Sequence, residues 1–220
     1  MIKPTPEFWK IFKETNGALS CAEAVAIMNI ASLAPEGRYL ELGTHRGKSA
    51  LSTVVGLKKG WFGLVEPEFK DSEWIDDVTI KVSLCADNHN CNQKMIELYI
   101  EGIGGYSTDI IERLVTNFAW VFVDSGSHGD GLPMQEAKLL EDRMVQGGIM
   151  AWHDYKNQFV EVEAAYNYLL STGKYEEVQI NWQEIFDYVA EHNLEEGNNS
   201  WHLYPELPHP PNFVGALKRK

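Results

Sequence analysis

The chain has 220 residues, enough for one domain with a sizeable core, and its 44% hydrophobic and 23% charged residues exclude an intrinsically disordered protein. Asp and Glu outnumber Lys and Arg by 32 to 19, so the net charge of −13 argues against nucleic-acid binding, which needs clustered cations. The apolar stretches are too short to cross a membrane, the N-terminus lacks the features of a secretory signal, and there are only three cysteines. We therefore expect a cytoplasmic protein without a membrane partner.

Capping signals predict two helices at the N-terminus. Thr5 and Pro6 supply an N-cap and a first helical residue, and Ser20 with Glu23 forms a capping box before an alanine-rich run. Proline and glycine near residue 36 end the second helix. We therefore expect residues 1–36 to form an N-terminal helical cap.

From residue 37 onwards, short apolar strands alternate with helical segments, which is typical of a mostly parallel sheet with helices on both faces. The expected strands are 38–43, 61–66, 95–101, 119–124, 149–152, 175–180 and 201–204. The expected helices are 48–57, 108–114, 133–144 and 161–170. Part of 70–92 has a strand-like alternation, although a helix there suits the topology better. We assign 37–204 to one α/β domain and the proline-rich segment 205–220 to an extended tail.

The turn after the first expected strand, residues 41–49, reads Glu-Leu-Gly-Thr-His-Arg-Gly-Lys-Ser. A phosphate-binding P-loop has four residues between its first glycine and Gly-Lys-Ser, whereas this turn has three. The dinucleotide fingerprint also fails, because position 45 is histidine rather than glycine. Gly43 and Gly47 allow a close approach to a ligand, and Glu41 supplies a carboxylate for a ligand ammonium. The turn therefore favours an amino-acid group over a pyrophosphate.

Glu66 ends the second expected strand, about twenty residues beyond the turn, where an acid commonly binds a ribose hydroxyl pair. By itself, such an acid is more often a solvated charge at a strand end. Together with Glu41 and the two glycines, it indicates a nucleoside site at the carboxyl edge of the sheet.

The segments that carry a family resemblance are Gly17-Ala-Leu-Ser-Cys-Ala-Glu-Ala24, Tyr39-Leu-Glu-Leu-Gly-Thr-His-Arg-Gly-Lys-Ser49, Val121-Phe-Val-Asp124 with His128, and Gly147-Gly148 with His153-Asp154-Tyr155. Together they resemble class I S-adenosylmethionine-dependent methyltransferases, and within them the type 24 group, which is related to the catechol-type and macrolide-sugar O-methyltransferases. The resemblance implies a Rossmann-like three-layer α/β/α sandwich. Its seven-stranded sheet would be mostly parallel, with an antiparallel last strand.

The resemblance also implies that S-adenosylmethionine is bound with its methionine end at the glycine turn and its ribose at Glu66. The turn containing Tyr106 and Ser107 is similar to the family's adenine-side Gly-Asp-Ser, although tyrosine replaces the aspartate here. The expected cofactor-binding residues are Glu41, Gly43, Thr44, Gly47, Ser49, Glu66, Ser107 and Asp124.

Four polar residues follow two neighbouring expected strands and can converge beside the methyl group: Asp124, His128, His153 and Asp154. We expect His128, His153 and Asp154 to be catalytic, with one of the histidines as the base. In the metal-dependent relatives, acids at such positions hold a divalent cation, so Asp124, His128 and Asp154 are candidate ligands for Mg²⁺ or another divalent cation. The loop Asp124-Ser-Gly-Ser-His128 is one residue longer than in those relatives. A metal-free histidine base, or a structural role of the aspartates as loop caps, are the alternatives.

The function that this resemblance implies is methyl transfer to a small molecule, most simply to a hydroxyl of a sugar or another natural product. Trp152, beside His153, is a candidate floor of the acceptor pocket. The alternatives are a binding protein that keeps the fold without turnover and a nucleotide-dependent oxidoreductase. We expect a small-molecule acceptor as the partner, with a homodimer as one assembly that the sequence allows.

Overall fold

Seven strands form the central sheet of the computed structural model, which describes residues 1–69, 72–90 (side chains of 75–85 only), 98–126, 130–156, 159–194 and 214–220. The strands are β1 (Gly37–Leu42), β2 (Gly60–Glu66), β3 (Leu98–Gly104), β4 (Phe118–Val123), β5 (Met144–Trp152), β6 (Tyr175–Glu177) and β7 (Gly215–Arg219). They lie in the order β3-β2-β1-β4-β5-β7-β6. β1 to β5 pair in parallel, and β7 runs antiparallel to β5 and β6. The predicted Rossmann-like sheet with an antiparallel last strand is confirmed.

Helices cover both faces of the sheet in the described part of the chain. They are α1 (Pro6–Glu14), α2 (Cys21–Ala31), α3 (Lys48–Gly56), α4 (Ser72–Asn90), α5 (Ser107–Arg113), α6 (Leu132–Leu140), α7 (Val160–Ser171) and α8 (Trp182–Glu191). α1 to α4 and α8 contribute to the core on one face, and α5 to α7 to the core on the other. Because both faces are covered, the six residues of the central strand β4 are all buried. None of the described helices is both long and apolar enough to pass through a membrane.

The N-terminal helices begin where the capping signals predict. The Thr5 side chain accepts a hydrogen bond from the Phe8 amide at 3.2 Å, and both bonds of the capping box between Ser20 and Glu23 are present. Phe12 and Val25 belong to the same hydrophobic core as the sheet residues that α3 covers. The two N-terminal helices therefore share one hydrophobic core with the sheet.

Residues 72–90 form the helix α4, which the topology favoured over the strand-like alternation within 70–92. Elsewhere the secondary structure departs from the expectation. The helix α8 was not predicted, and the sixth strand ends at Glu177 rather than at residue 180. Within the expected tail 205–220, residues 215–219 form β7, an interior strand of the sheet between β5 and β6. The expected strand 201–204 lies outside the described residues.

β7 is held in place at its far end by Arg219. The guanidinium donates to the carbonyl oxygen of Glu141 at 2.7 Å and lies over the Tyr175 ring, 5.3 Å from its centroid. The hydrogen bonds of β7 with β5 and β6 then close the gap between them, which explains why a short polar segment completes the sheet.

Candidate functional site

The order of the strands reverses between β1 and β4, and a crevice opens there at the carboxyl ends of the strands. Gly43 follows β1 with a φ of 82°. A Cβ atom at this position would lie 2.2 Å from the carbonyl oxygen of Asp124, which follows β4. The absence of a side chain at Gly43 therefore lets the two loops approach each other. Glycine is required at this position for packing.

Glu41 and Thr44 lie beside this crevice, in β1 and in the turn that follows it. Glu41 is fully buried at the end of β1, and one of its carboxylate oxygens accepts a hydrogen bond from the Ser49 hydroxyl at 3.0 Å. The other oxygen, Oε2, and Thr44 Oγ1 have no hydrogen-bond partner among the described residues. A buried polar atom without a partner is costly, so both atoms are suited to a polar ligand group.

Burial raises the pKa of the Glu41 carboxyl to about 8. The hydrogen bond from Ser49 opposes this rise, the nearby Asp124 carboxylate adds to it, and the neighbouring Thr44 hydroxyl opposes it to a smaller extent. Without a cationic partner, Glu41 is therefore largely protonated at neutral pH. An ammonium group at this position would stabilise the ionised form.

Glu66, at the end of β2, fixes the glycine turn. Its Oε2 atom accepts a hydrogen bond of 2.8 Å from the amide of His45, which has a left-handed φ of 46°. Its Oε1 atom receives only a long contact of 3.4 Å from the Glu68 amide. Glu66 thus positions the turn with one oxygen and retains hydrogen-bonding capacity on the other.

A cavity of about 330 Å³ lies beside this crevice. Its lining includes Gly43, Glu66 and Ser107, three of the residues predicted to bind the cofactor. Tyr106, which replaces the family's aspartate, also lines the cavity and is 64% exposed. The volume is within the range of pockets that hold drug-sized ligands. The carboxyl edge of β1, β2 and β4 therefore provides room for a nucleoside-sized molecule.

The other predicted cofactor residues surround this region. Gly47 is the N-cap of α3 and has a φ of 83°, and a Cβ atom there would meet Val78 of α4 at 2.8 Å. The backbone conformation and helix packing thus account for this glycine. Ser49 contacts Glu41, as described above, and Asp124 takes part in the cluster that follows.

His153 stands at the centre of a cluster of three carboxylates. Its Nδ1 atom lies 3.3 Å from an oxygen of Asp124 and 3.3 Å from an oxygen of Asp154, and its Nε2 atom lies 3.0 Å from Glu23 Oε1. Burial lowers the pKa of His153, but the three carboxylates outweigh burial and raise it well above the usual range. With both ring nitrogens engaged by acids, His153 is better placed to position carboxylates than to act as the predicted base.

Asp124, His153 and Asp154 each offer one ligand atom, and these atoms lie within 4.8 Å of one another. The predicted metal ligands Asp124 and Asp154 are thus brought together, with His153 as their neighbour. The third predicted ligand, His128, which is also a predicted catalytic residue, lies outside the described residues.

Glu23 is a member of the site that the sequence did not single out for this role. One of its oxygens accepts the Ser20 amide of the capping box at 2.7 Å, and the other contacts His153 across 130 residues of sequence. A glutamate that holds the other ring nitrogen of a ligating histidine is common in metal sites. The capping box predicted the contact of Glu23 with Ser20 correctly, but no sequence pattern indicated its contact with His153.

Trp152 does not form the floor of a pocket, contrary to the prediction. It is 1% exposed and packs edge-on against Tyr166, with ring centroids 5.6 Å apart. The side chains of a strand alternate between faces, and this one points into the core beneath α7.

No family model matches this sequence, and no curated protein matches it. Solved structures do match the fold. An O-methyltransferase from Bacillus cereus in complex with SAH is 11% identical with a TM-score of 0.57, covering 81% of this chain and 85% of that chain. The O-methyltransferase TomG from Streptomyces achromogenes, involved in tomaymycin synthesis and in complex with SAM, is 16% identical with a TM-score of 0.57, covering 82% and 84%. An rRNA methylase from Streptococcus thermophilus is 12% identical with a TM-score of 0.50, covering 100% and 98%.

The protein therefore shares the fold of class I methyltransferases, as the sequence resemblance implied. The same fold thus occurs in an O-methyltransferase of tomaymycin synthesis and in an rRNA methylase. The substrate must consequently be inferred from the site itself.

Proposed function

We propose that the protein is a methyltransferase that binds S-adenosylmethionine at the carboxyl edge of β1, β2 and β4 and methylates a hydroxyl of a small molecule. The observation that carries this proposal is the fully buried Glu41 carboxylate, whose Oε2 atom has no hydrogen bond of regular geometry among the described residues and which has the Thr44 hydroxyl as a neighbour. S-adenosylmethionine supplies an activated methyl group on its sulfonium and also carries an ammonium group. A buried carboxylate oxygen binds an ammonium group and repels a phosphate. The site therefore favours S-adenosylmethionine over a nicotinamide dinucleotide, which carries a pyrophosphate.

The cavity beside these oxygens supports the same ligand. Glu66 retains one oxygen for the ribose hydroxyls, and Ser107 lines the side where the adenine would lie. Glu41 would bind the ammonium, with Thr44 as a second acceptor. The charge of −13 makes a large RNA substrate unfavourable, which favours a small-molecule acceptor.

Binding of S-adenosylhomocysteine should become tighter as the pH rises from 6 to 8, by up to about tenfold per pH unit, and should level off above about 8. The sign follows from Glu41: the free protein holds a proton there below a pKa of about 8, and an ammonium ligand binds the ionised form. At pH 7 about nine-tenths of a proton should be released per ligand. Isothermal titration in buffers of different ionisation enthalpy measures both quantities.

The Glu41→Gln variant is the control for this pH dependence, because glutamine has no proton to release. Its affinity for S-adenosylhomocysteine should be nearly independent of pH in the same range. A pH dependence that persists in the variant would assign the proton to another group and contradict the proposed ammonium site.

The cluster of Asp124, His153 and Asp154 lies at the ends of β4 and β5, next to this cavity in the order of the strands. Two carboxylates and one imidazole are a donor set that fits a divalent metal ion, and Glu23 would fix the ring as its outer partner. Such an ion, when bound, lowers the pKa of an acceptor hydroxyl. Without such an ion, Nδ1 of His153 would hold the carboxylates of Asp124 and Asp154 together, and one of the two carboxylates would accept the proton of the hydroxyl.

Removal of divalent ions by a chelator should abolish methyl transfer, and Mg²⁺ or Mn²⁺ should restore it. Mn²⁺ binding to the chelator-treated protein, measured by electron paramagnetic resonance, provides a readout that is independent of activity. Turnover that resists chelation, in a protein that binds no Mn²⁺, would leave the two aspartates as metal-free proton acceptors.

A further inference from the structure

A buried carboxyl group on α6 lies behind the cofactor cavity. Glu136 is fully buried, and its neighbours on the helix, Ala137 and Leu140, belong to the hydrophobic core on that face of the sheet. Its Oε1 atom accepts a hydrogen bond from the hydroxyl of Ser125, the residue that follows Asp124. Burial of a carboxyl group costs free energy, and an apolar residue would fill the core at lower cost. The bond to Ser125 indicates where this carboxyl group acts.

Ser125 connects Glu136 with the cavity. It is 6% exposed, and it lines the cavity together with Glu66 and Ser107, which we assign to the ribose and to the adenine side. Its backbone packs closely on the glycine turn, where a Cβ atom at Gly43 would lie 2.6 Å from its Cα atom. The Ser125 hydroxyl is thus fixed by the turn on one side and by Glu136 on the other.

The bond to Glu136 decides which hydrogen bonds Ser125 can still make. A serine hydroxyl has one hydrogen to donate and two lone pairs that accept. Because the hydrogen is directed to Glu136, the Ser125 oxygen can only accept from a group in the cavity. Ser125 is therefore suited to an N–H donor, and it disfavours a carbonyl oxygen, which would face its lone pairs.

The purine bases differ at the atom that such an acceptor distinguishes. Adenine has an amino group on carbon 6, which donates, whereas guanine and hypoxanthine have a carbonyl oxygen there, which accepts. Two other side chains of the lining are less selective. Asp130 is exposed, so water competes for its carboxylate, and Tyr106 is 64% exposed and has a hydroxyl that both donates and accepts. The buried Ser125 hydroxyl, with its fixed direction, is better suited to separate the bases.

We propose that Ser125, held by Glu136, selects adenine in the cofactor by accepting a hydrogen bond from its 6-amino group. Ser125 is a specificity-determining residue, and Glu136 is a positioning residue that acts through it. This inference rests on the proposed function, because it takes the cavity to hold S-adenosylmethionine with its base beside Ser107 and Ser125.

Ligands that differ only in the base test this selection. By isothermal titration, S-adenosylhomocysteine should bind about 10- to 100-fold more tightly than S-inosylhomocysteine, and adenosine more tightly than inosine by a similar factor, because the wrong base leaves a buried acceptor without a donor. Purine riboside, which has only a hydrogen on carbon 6 but keeps the acceptor N1, should bind with intermediate affinity. In Ser125→Ala, the preference for adenine over both other bases should fall to within about threefold.

Glu136→Met tests the positioning residue, because methionine fills a similar volume in a buried site and its sulfur is only a weak acceptor. The Ser125 hydrogen can then turn towards the cavity, so inosine should gain on adenosine by about tenfold. A purely structural role of Glu136 would weaken both ligands equally. Ser171→Ala is the matched control, since the exposed Ser171 hydroxyl donates to a carbonyl of its own helix, and it should leave the ratio unchanged.

Three results would overturn this inference: equal binding of adenosine, purine riboside and inosine, a base preference that Ser125→Ala retains, and a preference that Asp130→Asn removes in place of Ser125→Ala. Equal weakening of both ligands in Glu136→Met would overturn the role of Glu136. S-adenosylhomocysteine that still binds through Glu41 in these experiments would leave the proposed function in place. Conversely, a preference for adenosine that depends on Ser125, without tighter binding of S-adenosylhomocysteine than of adenosine, would confirm the base selection and contradict the proposed cofactor.

Discussion

Replacing Asp154 by asparagine should lower the turnover number about 100-fold or more, because a carboxylate that accepts a proton in the reaction typically contributes at least that much. The affinity for S-adenosylhomocysteine should stay within about threefold, since the cofactor cavity is lined by residues at and beyond the carboxyl ends of β1 to β4 and not by Asp154. Asparagine is suited to this position, because Asp154 has a φ of 58°, a conformation that asparagine tolerates well. A single-turnover assay of methyl transfer, together with a titration of the ligand, separates the two effects.

Asp187→Asn is the control for this experiment, because Asp187 is an exposed acid on α8 that contacts Gln183 at 2.8 Å. Its turnover number should be that of the parent protein. Equal losses of turnover and ligand affinity in Asp154→Asn would indicate a structural role for the carboxylate. Tight binding of S-adenosylmethionine without transfer to any acceptor would favour a binding protein that has kept the methyltransferase fold.

The fold was predictable because local and long-range signals agree in most of the chain. The continuous apolar run of β4 can only be a buried strand, and the capping box at Ser20 specifies where α2 begins. The alternation of such strands with helices then restricts the sheet to a mostly parallel arrangement. These signals are local in sequence, and tertiary contacts do not override them.

Of the two main errors, one arose where tertiary contacts decide the structure and the other from a capping pattern that was overlooked. The segment of β7, Gly-Ala-Leu-Lys-Arg, is short and ends in charged residues, and only the gap between β5 and β6 makes it a strand. The helix α8 does have a sequence signal, since Asn181 accepts a hydrogen bond from the Glu184 amide at 3.4 Å and apolar residues recur at helical spacing. That capping pattern would have identified it.

The candidate site was predictable strand by strand but not as a set of contacts. The sequence placed Glu41, Asp124 and His153 at the ends of strands, and parallel pairing brings such ends to one edge. The contact of Glu23 with His153 depends on how α2 packs over the sheet. Neither the sequence around Glu23 nor the sequence around His153 contains this information. The same is true of Gly43, which the sequence explains by a ligand and the structure by the carbonyl of Asp124.

Replacing Glu41 by glutamine should weaken S-adenosylhomocysteine binding about 10- to 150-fold at pH 8, since a charge-assisted hydrogen bond contributes about 1.5–3 kcal/mol. Glutamine preserves the shape of the side chain and an acceptor for the Ser49 hydroxyl, so the loss reports on the charge alone. The loss should be largest for ligands that carry the ammonium. Adenosine, which lacks the amino-acid end, should bind equally well to both proteins.

Glu36→Gln is the matched control, because Glu36 precedes the opposite, amino end of β1 and should not affect either ligand. Ser49→Ala should weaken S-adenosylhomocysteine binding by less than Glu41→Gln, since it removes only the hydrogen bond that orients the carboxylate. If Glu41→Gln weakened adenosine as much as S-adenosylhomocysteine, the carboxylate would act by shaping the turn. The partnerless oxygen at the end of β1 would then no longer distinguish an amino-acid-bearing nucleoside from any other nucleoside.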